Sequence, residues 1–143
     1  MTYQEKKSIV SLVSSIFIFI TYCMIKYRQF PEGEPLEYWG SFVLVLTVVS
    51  IGAHIVISIV FTIFFRVTTG EKEPHFADEM DKHIELKAFR NSFFIFILGF
   101  LISMGSLVMQ ENINLMFMIL IVSGFISDIA GSLSRLYHYR SGV

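Results

Sequence analysis

From Ala88 to Met109 the chain runs 22 residues with a single charge, Arg90, and this run joins the most densely charged segment of the protein, Asp78 to Lys87. No Gly or Pro separates the two. A stretch this long and this apolar is long enough to cross a bilayer as a helix, so an amphipathic polar helix is expected to continue into a membrane span without a break. Angular bookkeeping supports the helix. At about 100° per residue Asp78, Asp81 and Glu85 fall within roughly 60° of one another, and Met80, Ile84 and Ala88 form an apolar stripe beside them. Asp78 suits the N-cap, acidic residues occupy the first turn, and Asp78 with Lys82 makes a favourable i, i+4 pair.

Three further apolar runs are of spanning length. Ser8 to Ile25 has 18 residues and no charge, behind Lys6 and Lys7. A secretory signal has similar flanks, but Thr21 to Lys26 is too bulky for a cleavage site, so the run is read as a span. Tyr38 to Phe65 forms the second span, with Tyr38 and Trp39 expected at the headgroup level. Ala88 to Met109 is the third, Gln110 to Asn112 a tight turn, and Ile113 to Ser134 the fourth. The expectation is an all-α integral membrane protein: one domain, a four-helix bundle with spans at about 8–25, 38–65, 88–109 and 113–134. Residues 78–87 extend the third helix into the cytoplasm.

Basic residues give the orientation. Lys6, Lys7, Arg66, Lys72, Lys82, Lys87, Arg90, Arg135 and Arg140 fall on one side, and only Lys26 and Arg28 on the other. The positive-inside rule then predicts a plasma (inner) membrane protein with both termini cytoplasmic.

The motif Asp-Glu-x-Asp-x-x-Ile-Glu-x-Lys-Ala-x-Arg-x-Ser-Phe-Phe from Asp78 to Phe94, with Tyr139-Arg140-x-Gly142 after the last span, resembles a family of small four-span bacterial and archaeal membrane proteins of unknown function. Members of that family are often encoded beside a small helix-turn-helix regulator. The resemblance therefore implies a cytoplasmic partner of that kind. It implies no catalytic residue, since none is established for the family.

Composition narrows the chemistry. Of 143 residues, 54% are hydrophobic and 15% aromatic, and the net charge of −1 gives no footprint for direct nucleic-acid binding. The lone Cys23 excludes an intramolecular disulfide and suits a small buried hydrophobe. Phosphate-binding Gly-rich loops and zinc spacings are absent. The serines lie in spans without a base arranged beside them, so no enzymatic activity is expected.

Two ionisable residues interrupt the apolar runs, His54 and Asp128. His54 lies 15 residues past Trp39 and Asp128 14 past Asn114, which puts both about 21–23 Å from the outer ends. A carboxylate in hydrocarbon is costly, so Asp128 should face protein or water, or be protonated. Span two carries Thr47, Ser50, His54, Ser58 and Thr62 on one face. Span four carries Ser123, Ser127 and Gly131 on one line, with Gly124, Asp128 and Ser132 beside it, and span three adds Gly99, Ser103 and Ser106. Lines of small residues let helices pack closely in lipid. The plain reading makes His54, Asp128, Ser50, Ser58 and Ser127 interhelical glue; the functional one places them in a proton- or ion-linked pathway. No haem is expected, because His54 has no second intramembrane His, and no other cofactor is indicated.

Asp78, Asp81 and Glu85 are the residues that could chelate a divalent cation. Such clusters are more often solvated or paired, here with Lys82 or Arg90, and no metal is expected. Two functions stand against each other. In the first, the protein is a non-enzymatic membrane regulator or sensor acting through Asp78, Asp81, Lys82, Glu85 and Arg90 on a partner. In the second it is a small oligomeric transporter or channel using Asp128 and His54. A homo-oligomer embedded in membrane lipid is expected in either case.

Overall fold

The computed structural model describes residues 3–28, 35–70 and 79–141, and in these the chain forms four helices. They are α1 (Tyr3–Tyr27), α2 (Pro35–Thr69), α3 (Glu79–Val108) and α4 (Ile113–Ser141). Each is long and apolar enough to cross a membrane. The protein is therefore an all-α four-helix bundle with the character of a membrane protein. At 1.5 Å per residue the 30 residues of α3 reach about 45 Å, against about 30 Å of hydrocarbon. Asp78, expected as the N-cap, and Gly142 lie outside the described residues.

Local chemistry sets the helix ends. Pro35 opens α2 at the position where a missing N–H costs nothing. Gly70 closes it with φ 67° and an N–H bond to the Arg66 carbonyl of 3.0 Å. The α3–α4 turn holds a non-glycine residue in the left-handed region, Gln110 at φ 59°. Around it Gln110 N–H reaches the Leu107 carbonyl (3.0 Å) and Glu111 N–H the Ser106 carbonyl (3.1 Å), the paired bonds of a Schellman cap. Asn112 Oδ1 then accepts from Asn114 N–H at 3.3 Å and caps α4.

The helices lie in the spatial order α2, α1, α4, α3. α3 and α4 form the most extensive pair, α1 packs on α4 and on α2, and α2 and α3 do not touch. The two ends of the bundle differ. At the turn end, which holds the α3–α4 turn, Tyr22, Trp39 and Phe42 form a buried cluster with Cys23, Leu46, Phe117 and Ile121 packed against it. Trp39 is only 5% exposed, and its Nε1–H donates to Asn114 Oδ1 at 2.7 Å. The ring packs against the protein, with its hydrogen-bond partner and an aromatic neighbour, Phe117, both on α4.

The opposite, basic end carries the start of α1 and the end of α4. Here all four helices outrun the expected spans, and α4 does so by seven residues, to Ser141. Its extension lies along the start of α3. Ile84 is 1% and Ala88 2% exposed, so this part of the apolar stripe is covered within the chain, although Met80 remains 43% exposed.

Candidate functional site

The α3–α4 seam is built from small residues in register. Any Cβ on Gly99 would overlap the Ser123 side chain, and one on Gly131 would press on Ser92 at 3.2 Å. Ser92 and Ser127 bond reciprocally: Ser127 Oγ donates to the Ser92 carbonyl (2.8 Å), and Ser92 Oγ lies 2.9 Å from the Ser127 carbonyl and 2.7 Å from its hydroxyl. Ser103 Oγ donates to the Met116 carbonyl at 2.9 Å, and Asn91 Nδ2 to Ser134 Oγ at 2.9 Å. Ser127 is thus committed to α3 rather than grouped with His54.

The α1–α2 seam uses polar groups that hydropathy alone does not single out. Tyr22 donates to the Phe42 carbonyl at 3.1 Å, and Tyr3 Oη and Thr62 Oγ1 lie 3.2 Å apart. Between them sits His54. Its Nδ1 lies 2.8 Å from the Ser50 carbonyl, which can only accept, so Nδ1 carries the proton; its Nε2 is 3.0 Å from Ser15 Oγ. Both ring nitrogens are engaged, and neither partner is Asp128. Ser15 was missed because span one also carries Ser8, Ser11 and Ser14, and nothing in the sequence marks which of these serines meets another helix. Ser58 is half-buried on the same helix.

Between these seams lies a cleft of about 710 Å³, walled by α2 and α4 with α1 at its back. Ser50, His54, Gly124 and Asp128 all line it, with Phe19, Phe96 and Phe125 among the apolar groups. The hydrogen bond from Trp39 to Asn114 sets the two walls level at the turn end. Counting from it, His54 and Asp128 lie about 21–23 Å deep on opposing helices. Asp128 is exposed, and among the described residues it has no hydrogen-bond or ion-pair partner. It also lines a second cavity of about 740 Å³, toward the basic end, with Lys82, Glu85, Ser92 and Arg135.

No family model, curated protein or solved structure matches the chain. The chemistry of the cleft therefore has to come from its own residues.

At the basic end, Asp81 and Glu85 meet the α4 extension. Tyr139 is hydrogen-bonded to Asp81, with Glu85 and Arg135 close by. Burial first, then the charges of Asp81 and Glu85, push the Tyr139 phenol up to about 12. Arg135 donates to Ser132 Oγ at 3.2 Å, while its Nε is buried without a partner among the described residues. Lys82, Glu85 and Arg90 are exposed. Among the described residues no three His, Cys, Asp or Glu side chains come together as a metal site.

Proposed function

We propose that this membrane protein works through its α2–α4 cleft, as a non-enzymatic carrier or channel in which Asp128 exchanges a proton or an ion. The observation that carries this reading is the place of Asp128 on the wall of both cavities, one within the bundle and one toward the basic end. An ionisable group inside a membrane segment and without a fixed partner is the ordinary mark of an ion or proton path. His54, held by Ser50 and Ser15, would shape the opposite wall rather than neutralise Asp128. Four spans rarely enclose a path alone, so the working unit is proposed to be a homo-oligomer with both termini in the cytoplasm.

The test is proton exchange in proteoliposomes loaded with a pH-sensitive dye under an imposed gradient. Wild-type protein should dissipate the gradient and Asp128→Asn should not. Equal rates in the two would remove Asp128 from the pathway and the reading with it.

A second reading has its own observation. Beyond the expected spans α3 and α4 continue as a pair, with Lys82, Glu85 and Leu86 on its surface, Leu86 being 66% exposed. That surface could dock a cytoplasmic regulator, the helix-turn-helix protein implied by the family resemblance. Reversing the charges of Asp81 and Glu85 should then abolish partner capture while the protein still inserts and folds. Undiminished capture by the reversed variant would exclude this docking surface.

A further inference from the structure

We propose that the cleft binds a lipophilic organic monocation, its charge on Asp128 and its apolar body against Phe19, Phe96 and Phe125. The proposal rests on the cleft being the working site and names the class of ligand it takes.

Charge complementarity comes first. Among the described residues Asp128 is the only acidic residue lining the cleft, no Lys or Arg lines it, His54 is engaged with Ser50 and Ser15, and Lys82 and Arg135 line the second cavity instead. The carboxylate therefore has no counter-ion within the cleft, where a lone charge is expensive.

The walls decide what kind of cation answers it. Hard metal ions need six or more oxygen ligands for calcium, or a near-ideal octahedron for magnesium. Among the described residues this cleft offers one carboxylate and the hydroxyls of Ser15, Thr47 and Ser50, too few oxygens to replace the hydration shell of either ion. The remaining lining is largely aliphatic and aromatic. Phe19 and Phe125 stack with ring centroids 4.0 Å apart, and Phe96 lines the cleft from α3. A weakly hydrated ammonium or phosphonium carried on an apolar body loses little on entering such a site and gains from the ring faces. The volume suits it too: about 710 Å³ lies in the range of small-molecule pockets, roughly 300–1,000 Å³.

Access follows from the fold. α2 and α3 do not touch, so the cleft is unclosed along that side, where an amphiphile dissolved in the bilayer can reach it. A carboxylate that holds either a proton or an organic cation would couple the two by competition.

The experiment uses the full chain in lipid nanodiscs and a pair of ions of one shape and opposite charge, tetraphenylphosphonium and tetraphenylborate. Equilibrium dialysis should show saturable binding of the phosphonium and none of the borate. Asp128→Asn should weaken phosphonium binding on the order of tenfold or more. Gly124→Leu, which fills the cleft, should abolish it. Equal binding of both ions to the wild-type protein overturns the proposal without recourse to any variant. So does a Gly124→Leu protein that changes its oligomeric state but keeps its affinity, since a second copy of the chain would then occupy the cleft. Asp128-dependent proton exchange without phosphonium binding overturns the ligand class and leaves the working site standing. Loss of both results removes the site itself.

Discussion

Helix α4 carries two neighbouring rows of small and polar residues, and the two have opposite fates. Ser123, Ser127 and Gly131 are buried against α3, whereas Gly124 and Asp128, each one residue further on, line an open cleft. The first row closes because α3 answers it group for group, with Gly99 opposite Ser123 and Ser92 opposite both Ser127 and Gly131. The second faces a helix whose polar groups are spent elsewhere, Thr47 on its own backbone and His54 on Ser15 and its own backbone. In the most apolar 18-residue stretch of α2 no residue is buried. A small residue in lipid thus makes an interface only where a shaped and hydrogen-bonding counterpart meets it.

The sharpest way to break this comparison is to put the same side chain into each row. Gly99→Leu should drive into Ser123 and cost several kcal/mol, enough to lose monodisperse folded protein. Gly124→Leu should fold normally, because a Cβ there meets nothing within 4 Å. Size-exclusion profiles and thermal melts of the two variants in detergent measure the contrast, and equal behaviour would erase it.

A smaller contrast comes from deleting hydroxyls. Ser92→Ala should lower stability by about 0.6–1.7 kcal/mol, the usual range for a hydrogen bond between membrane helices. Ser50→Ala should cost close to nothing, since it is the Ser50 backbone carbonyl that holds His54.

The basic end extends the seam beyond the expected spans and adds a pH signature. The folded state raises Tyr139 from its ordinary value near 10 to about 12, so it is the neutral phenol that folding stabilises. That stabilisation is complete below pH 10 and is lost as the pH rises through about 12. Tyr139→Phe should cost about 1 kcal/mol at neutral pH, and the thermal midpoint should fall less steeply across that window than in the wild type. Matching profiles would show that neither burial nor the Asp81 and Glu85 charges hold Tyr139 neutral in the folded state.

The smallest expected effect is a gain. Gln110 holds φ 59° at the cap of α3, a conformation that glycine adopts at no steric cost. Gln110→Gly should raise stability by about 0.5–1 kcal/mol in the same melts.

Hydropathy made the four helices legible, and counting residues from Trp39 and Asn114 gave the depth of His54 and Asp128, since those two starting points are hydrogen-bonded to each other. The two rows of α4 were legible as rows. Which partner each would meet was not, because that depends on how helices distant in sequence are set in register. The end of α4 was hidden for a different reason: Arg135 and Arg140 close the apolar run, so the expected span ends at Ser134, although the helix continues to Ser141 along the face of α3. At Ser15 and Ser92 nothing in the sequence tells a serine bonded to another helix from one bonded to its own.

The bond between Trp39 and Asn114 has a mechanical consequence. It ties α2 to α4 at one end only, and their few contacts leave the rest of α2 attached to the bundle through α1. The width of the cleft is therefore set at second hand: at the depth of Asp128 it is α1, stacked on α4 through Phe19 and Phe125 and bonded to α2 through Ser15 and His54, that spaces the two walls.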